Sequence, residues 1–458
     1  MAAQKKFPRP KKRKRDPKLP EPLAQVNLNA AGIDIGSRSH FVAVPSDRDP
    51  HSVREFGSFT TDLQCLADWL EDCEIDTVVM ESTGVYWIPL MEILDERGFE
   101  TLLVDPRQLK QVPGRKTDVC DAQWLQKLHT FGLLRGAFRP NDEICVLRSF
   151  LRQRTRAVED CSRYTQHMQK AMTQMNLKLR NVVSDVTGVT GMRILRAIID
   201  GEQDPDELAA LRDHRCRKSK ETIAKALQGN WREEHLFELT QAVEAYDFVR
   251  QQILACDSRI EKVLDGFESK TEEKAPAHKK TRVQGNAPRF DLRQHLYRVS
   301  SVDLTRVEGV DAYAGVQLIG EVGLDMTRWP SGKHFSSWLG VCPGNKITGG
   351  KRLSGRTKRC SNRAATILRL CANSLHRSKS ALGAYFRRQK ARHGTPVAIT
   401  ATAHKLARII YAMLSKGEEY VDIGQEAFEE QYRQRAMVNL QRNARRLGFD
   451  LVEQEAAV

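Results

Sequence analysis

Four acidic residues stand where they would converge if the pattern around them folds as it reads. Asp34 interrupts the run Ala31-Gly32-Ile33-Asp34-Ile35-Gly36, where a strand would carry an aliphatic side chain, and a carboxylate in that setting needs a compensating charge. Glu81 closes a second apolar run, Thr77-Val78-Val79-Met80. Asp118 and Asp121, in Lys116-Thr117-Asp118-Val119-Cys120-Asp121, are three apart at the start of a helical pattern and so share one helix face. Gathered at one end of a sheet, these carboxylates repel one another, and a hard divalent cation resolves the repulsion: magnesium (Mg2+) takes oxygen ligands completed by water and phosphate. Two such ions can activate an attacking oxygen and stabilise a leaving one in phosphoryl transfer. Taken singly, each acid also has an ordinary reading, Asp118 as a favourable charge near a helix N-terminus and Asp34 as part of a turn or a phosphate-binding loop. Cys120 reads as a small packed residue and His129 as a helix-surface histidine.

A second constellation is cationic. The segment from Trp338 to Arg352 is loop-like and rich in glycine, which lets a backbone approach phosphate closely while Lys346, Lys351 and Arg352 neutralise its charge. Arg356, Lys358, Arg359, Arg363 and Arg369 carry the patch into the next helix. Residues 341–416 hold 17 Lys or Arg and no Asp or Glu, and residues 1–20 hold nine against Asp16 alone, in a proline-bearing arm that reads as disordered. The 458-residue chain has a formal net charge of +15, and a folded surface without acids points to a polyanion, nucleic acid, as partner. No stretch approaches the roughly 18 consecutive apolar residues of a membrane span. The basic start is followed by polar residues, as a secretory signal is not, and the ten cysteines lack zinc-knuckle spacing. A reducing, cytoplasmic setting without a membrane is expected.

The elements that must position these residues follow from periodicity. Strands are expected near 31–36, 40–44, 53–59, 77–81 and 99–104, and helices near 62–73, 85–97 and 118–130, with Thr60-Thr61-Asp62 as a helix start. Three strands, helix, strand, helix, strand, helix is the order of an RNase H-like fold. Beyond Pro140 the period changes. Apolar residues from Ile144 to Val182, with Arg154 and Thr165 as the polar seam positions, predict one long coiled-coil-type helix in which Met168, Met172 and Met175 are packing residues. Leu236 to Val263 predicts a second, able to pair with the first or with another subunit, so a homo-oligomer, dimer or tetramer, is expected. Residues 266–298 read as a linker, 304–414 as helical around the glycine-rich loop, and 425–446 as a charged helix. Val307 to Gly323 resembles a helix-hairpin-helix element, which an ordinary helix turn explains equally well.

Asp34 in Gly-Ile-Asp-Ile-Gly, Glu81 in Glu-Ser-Thr-Gly and the Lys-Thr-Asp-x-x-Asp segment together resemble the Asp-Glu-Asp-Asp signature of bacterial insertion-sequence transposases with a RuvC-like N-terminal domain, and residues 337–375 resemble that family's C-terminal domain. The resemblance spans about residues 28–183 and 300–422. It implies a fold of class α/β plus α: a disordered basic arm (1–27), a RuvC-like catalytic domain of RNase H fold (28–140), a helical coiled-coil region (141–265), a linker (266–298), a mainly helical basic C-terminal transposase domain (299–422) and a C-terminal helix and tail (423–458). It further implies a bridge-RNA-guided recombinase acting on donor and target DNA with a structured guide RNA, whose Asp34, Glu81, Asp118 and Asp121 bind Mg2+. The family's nucleophile is a serine five residues after the proline of Leu-Gly-x-x-Pro. Here that position is Thr348, whose extra methyl crowds an in-line attack, and Ser354, in Ser-Gly-Arg, is a second hydroxyl at another offset.

Two other functions compete. An actin-like ATPase or sugar kinase shares an Asp-Ile-Gly-Ser loop but should repeat it in the second half, and no convincing repeat is present. A non-catalytic nucleic-acid scaffold derived from a transposase keeps the basic surfaces without requiring the acids.

Overall fold

A computed structural model describes residues 25–82, 84–106, 118–277, 285–358 and 360–452. By its internal contacts the chain divides into two units, Met1–Arg139 and Pro140–Val458. Residues 1–24 of the basic arm, Lys116, Thr117 and Arg359 lie outside the described residues, whereas the end of the expected arm is ordered, with Val26 N and Asn27 N donating to the Thr130 carbonyl at 2.8 and 3.1 Å.

The first unit is built on a five-stranded mixed sheet of order β3-β2-β1-β4-β5. Its strands are β1 (Ala30–Ile35), β2 (Ser39–Ala43), β3 (Val53–Gly57), β4 (Thr77–Glu81) and β5 (Glu100–Val104), and its helices α1 (Thr60–Asp72), α2 (Trp87–Glu96) and α3 (Asp118–Thr130). β1, β2 and β3 pair antiparallel, while β1, β4 and β5 pair parallel. Period-two alternation divides the sheet into two faces. Ala31, Ile33, Ile35, Val42, Val78 and Met80 pack with Leu63, Leu66 and Leu70 of α1 and Leu90 and Leu94 of α2. Val79 and Val104 of the opposite face pack with Leu125 of α3. The start of α1 is held by the Asp62 carboxylate accepting from Phe59 N at 3.2 Å, so the carboxylate rather than a threonine hydroxyl caps it. This mixed sheet is compatible with the RNase H-like order expected.

In the second unit, α4 (Asp142–Gln174) and the short helices α5 (Leu179–Val182), α6 (Val189–Ile199), α7 (Pro205–Ala210) and α8 (Lys220–Ala226) lead into α9 (Glu233–Gly266). The predicted single helix to Val182 is interrupted after Gln174: Asn176 adopts φ 58°, the left-handed turn that ends α4. Met168, Met172 and Met175 are buried in the core that the short helices close, which makes them packing residues as expected. α4 and α9 pack against each other through Ala157, Cys161 and Ile253, so the two seams cover one another within the chain and cease to be an argument for a second subunit. Arg154, the polar seam position, is buried: Nε donates to Asp257 of α9, Nη2 donates to the Asn286 carbonyl at 2.8 Å, and the guanidinium lies 4.5 Å over the Tyr313 ring. A buried ion pair adds little net stability but penalises every register that separates its partners.

The expected linker contains structure. α10 (Leu292–Ser300) begins inside it, Arg293 pairs with the buried Asp303, and Lys270 N donates to the Arg298 carbonyl at 2.9 Å. Polar residues there serve hydrogen bonds to neighbouring backbone, a use that composition alone does not separate from a solvated linker. The remaining elements are α11 (Ala312–Val322), α12 (Gly332–Trp338), β6 (Lys346–Thr348), β7 (Lys351–Ser354), α13 (Arg363–Ser374), α14 (Ala381–His393), α15 (Thr395–Lys416) and α16 (Gly424–Leu447). Arg148 donates to the Gly320 carbonyl at 2.8 Å and Arg152 grips Glu321 bidentately, tying α4 to α11. At the turn before α11, a side chain on Gly309 (φ 88°) would meet the Cys371 carbonyl at 2.8 Å, so this glycine serves close packing on α13 rather than an open phosphate contact. α15 is long and apolar enough for a membrane span by length and composition, which the apolar runs of the sequence do not suggest. Its Ala398, Ala403, Leu406, Ala407, Ile410 and Met413 are buried, and α13, α14 and α12 pack against it.

Candidate active site and cationic hairpin

Register builds the acidic site. β1 and β4 run parallel with Ile33 opposite Met80, so the next residues, Asp34 and Glu81, stand side by side at the carboxyl ends of adjacent strands, on the face covered by α3. Gly32 precedes Asp34 by two on that face, and it permits the crossing: a Cβ there would lie 2.3 Å from Gln126 N and 2.6 Å from the Ala122 carbonyl. The close approach brings the first turn of α3, with Asp118 and Asp121, toward Asp34. In the sequence Gly32 stands out only as part of a signature; a glycine inside a strand, the usual mark of a close backbone approach, is the signal that could have found it.

The electrostatics agree. Burial first, and then the charges of Asp118, Asp121 and Glu81, together push the Asp34 carboxyl up from 3.8 to about 6. All four carboxylates therefore act on one small region. They do not yet form a ligand cage: among the described residues no three His, Cys, Asp or Glu side chains gather closely enough to hold an ion as they stand. The two observations measure different things, since charges interact over distances at which they cannot share a cation. The donor set nevertheless fits a hard divalent ion, being all oxygen and carrying a repulsion that such an ion relieves.

Two neighbours differ from expectation. His129 is buried, 5% exposed, rather than a surface residue. Its Nε2 lies 2.9 Å from the Thr77 hydroxyl, which itself donates to the Glu100 carbonyl at 2.9 Å, and burial lowers the imidazole pKa. It pins α3 to the sheet at the end away from the acids. Cys120 is exposed, not packed.

The glycine-rich loop is a β-hairpin. β6 and β7 pair antiparallel with Thr348 opposite Lys351 and Ile347 opposite Arg352, and the turn is Gly349-Gly350 at φ 55° and 78°. Positive φ at both central residues makes a tight two-residue turn whose twist matches the strands, so these glycines serve the hairpin first. Thr348 is exposed beside the turn and opposite Lys351, also exposed, and Arg356, Lys358 and Arg363 are exposed in the segment that follows. Ser354 is half-buried and its Oγ accepts from Arg356 N at 3.2 Å, which occupies it in the chain's own turn. Lys346 and Arg352 lie on the paired strands. Arg363 begins α13, where the helix dipole disfavours a cation by about 0.3–1 kcal/mol, a placement that an external anion would repay.

Comparison with known proteins adds the following. A family model described as transposase, of the DEDD IS110 type, matches residues 31–177, and one described as transposase of the IS116/IS110/IS902 family matches residues 303–387. A probable family 20 transposase of Pseudomonas aeruginosa is 31% identical over 122 residues, 25% of this chain and 35% of that relative. The match thus spans about a third of the relative's length.

Proposed function

We propose, starting from a chain that belongs to the IS110 family of transposases, that it is a DNA recombinase of an insertion sequence, cutting and exchanging DNA strands by phosphoryl transfer. The observation that carries the reading is the pairing of Asp34 with Glu81 on adjacent parallel strands, under a helix bearing Asp118 and Asp121 whose charges reach Asp34. Asp34, Glu81, Asp118 and Asp121 would hold Mg2+. The ion would supply Lewis-acid stabilisation of charge on the reacting phosphate.

Thr348 is the nucleophile in this reading. Its Oγ1 forms the bond to phosphorus and gives up its proton to solvent as the bond to the leaving sugar oxygen breaks, that oxygen takes a proton from solvent to become a free hydroxyl, and the chain becomes joined to DNA. Lys351, Arg356, Lys358 and Arg363, with Lys346, Arg352 and Arg359 from the same acid-free sequence, neutralise the phosphates around it. The exposure of Thr348, against the engagement of Ser354 with Arg356 N, supports this choice of hydroxyl. Donor and target DNA, a structured guide RNA, a homo-oligomer and a cytoplasmic setting complete the proposal. A RuvC-like catalytic domain at 28–140 and a transposase domain at 299–422 complete its organisation, the former supported by the contact boundary after Arg139.

A scaffold without catalysis is disfavoured on physical grounds. Keeping Asp34 among three further carboxylates opposes folding near neutral pH, and binding alone gains nothing from it. The test is strand exchange by purified protein with its nucleic acids and Mg2+. Asp34→Asn should abolish exchange with the fold retained, and Thr348→Ala should abolish covalent protein–DNA adducts while Thr348→Ser keeps them. Undiminished exchange in Asp34→Asn, or adducts mapped by mass spectrometry to Ser354, would overturn the corresponding assignment.

A further inference from the structure

α16 lies outside both segments that match the family models. Its first half is anchored. The Arg388 guanidinium lies 3.2 Å over the Tyr432 ring and 5.8 Å from that of Phe428, and the Lys405 ammonium lies 5.0 Å over Phe428 and 4.8 Å over Tyr385. Gln425 accepts from Arg387 at 2.8 Å. These contacts end at Tyr432. From Arg433 to Leu447 every residue is exposed except the half-buried Ala444, and no residue of the whole helix is buried.

Residues 431–449 contain Arg433, Arg435, Arg442, Arg445 and Arg446 and no Asp or Glu, interleaved with Gln434, Asn439, Gln441 and Asn443. At about 100° per residue, Arg435, Arg442, Arg445 and Arg446 share one side, and Met437, Leu440, Ala444 and Leu447 take the opposite one. Arg442 stands three and four residues from Arg445 and Arg446, spacings at which like charges destabilise a helix. A polyanion removes that repulsion.

We infer that the second half of α16 is a DNA-binding helix that lies in the major groove of a duplex. An α-helix, about 10–12 Å across with its side chains, fits the roughly 12 Å major groove of B-form DNA, whereas the deep, narrow major groove of A-form RNA does not admit it. Arginine, asparagine and glutamine are also the side chains that pair bidentately with guanine and adenine edges there. The inference deepens the transposase reading and rests on it only for the biological origin of the duplex.

The experiment is a fluorescence-anisotropy titration of the full chain against a DNA duplex of about thirty base pairs and the matching RNA duplex, across a salt series. The variant is Arg442→Gln/Arg445→Gln/Arg446→Gln, whose positions are exposed, so the fold is retained. DNA affinity should fall about tenfold or more, and the salt slope should flatten by about two to three, at roughly 0.9 for each phosphate no longer neutralised, while affinity for the RNA duplex stays the same. Unchanged DNA affinity and slope would overturn the inference, as would an equal loss for both duplexes. So would DNA binding that survives the arginine changes but is lost in Leu440→Ala/Leu447→Ala, which would assign the helix to protein contact. Asp34→Asn should keep the wild-type slope, so failure of the catalytic reading is told apart from failure of this one.

Discussion

Asp34 is held where the fold disfavours its charge. Its proton affinity is raised first by burial and then by three neighbouring carboxylates, so the folded chain binds that proton more tightly than the unfolded chain does. A raised carboxyl pKa favours the fold below about 4 and loses that contribution as pH climbs from 3.8 to about 6, beyond which the loss is constant. Two pKa units correspond to about 3 kcal/mol, and partial access of solvent reduces this to about 2 kcal/mol. Metal-free Asp34→Asn should therefore melt above the wild type at pH 7 and converge with it near pH 4. Mg2+ should raise the melting temperature of the wild type and leave that of the variant nearly unmoved. Parallel pH profiles of the two proteins in calorimetry would show that the carboxylates are not coupled.

At the scale of elements, the decisive contact is the crossing of α3 over β1. Gly32 leaves no room for even a methyl group, because the atoms it would strike belong to the helix backbone and cannot rotate away. Gly32→Ala should displace the first turn of α3 and lower stability by about 1–3 kcal/mol, the usual cost of overpacking. Activity should fall further than stability alone explains, because the shift separates Asp118 and Asp121 from Asp34. Thermal melting and strand exchange measured together check this: a variant that melts as the wild type and exchanges at the same rate would remove the crossing as a positioning device. The hairpin of β6 and β7 is the parallel case, since Gly349 and Gly350 set the turn that leaves Thr348 at the end of a strand.

For the whole molecule, the pairing of α4 with α9 moves the question of assembly. Recombination holds at least two DNA partners, and the homo-oligomer proposed for it needs surfaces other than the coiled-coil seams, which cover each other. Ile253, 2% exposed on α9, packs with Ala157 and Cys161 of α4. Ile253→Ala should cost about 2–4 kcal/mol, within the range of aliphatic truncations in a core, and leave the mass in solution unchanged. Light scattering with nucleic acid bound decides both points. Dissociation caused by Ile253→Ala would return the seam to the subunit interface, and a strict monomer would remove the oligomer.

The sequence alone determined whatever depends on short-range pattern. Period-two runs set β1 to β5 to within a residue or two, the three-four alternation marked α4 and α9, and the four acids stood out as candidates because Asp34 breaks an apolar strand and Asp118 and Asp121 share a helix face. The acid-free surface of residues 341–416 was visible as composition. Tertiary structure decided what depends on which faces meet. Only strand register set Asp34 beside Glu81, only the approach of a helix backbone explained Gly32, and only packing showed His129 buried against Thr77 and one face of α15 buried against its neighbours. It also turned the expected linker into α10 and its hydrogen bonds, and the loop around Thr348 into a hairpin. The reason is that periodicity reports the face a side chain takes on its own element, whereas partners, burial and pKa are set by residues far away in the chain.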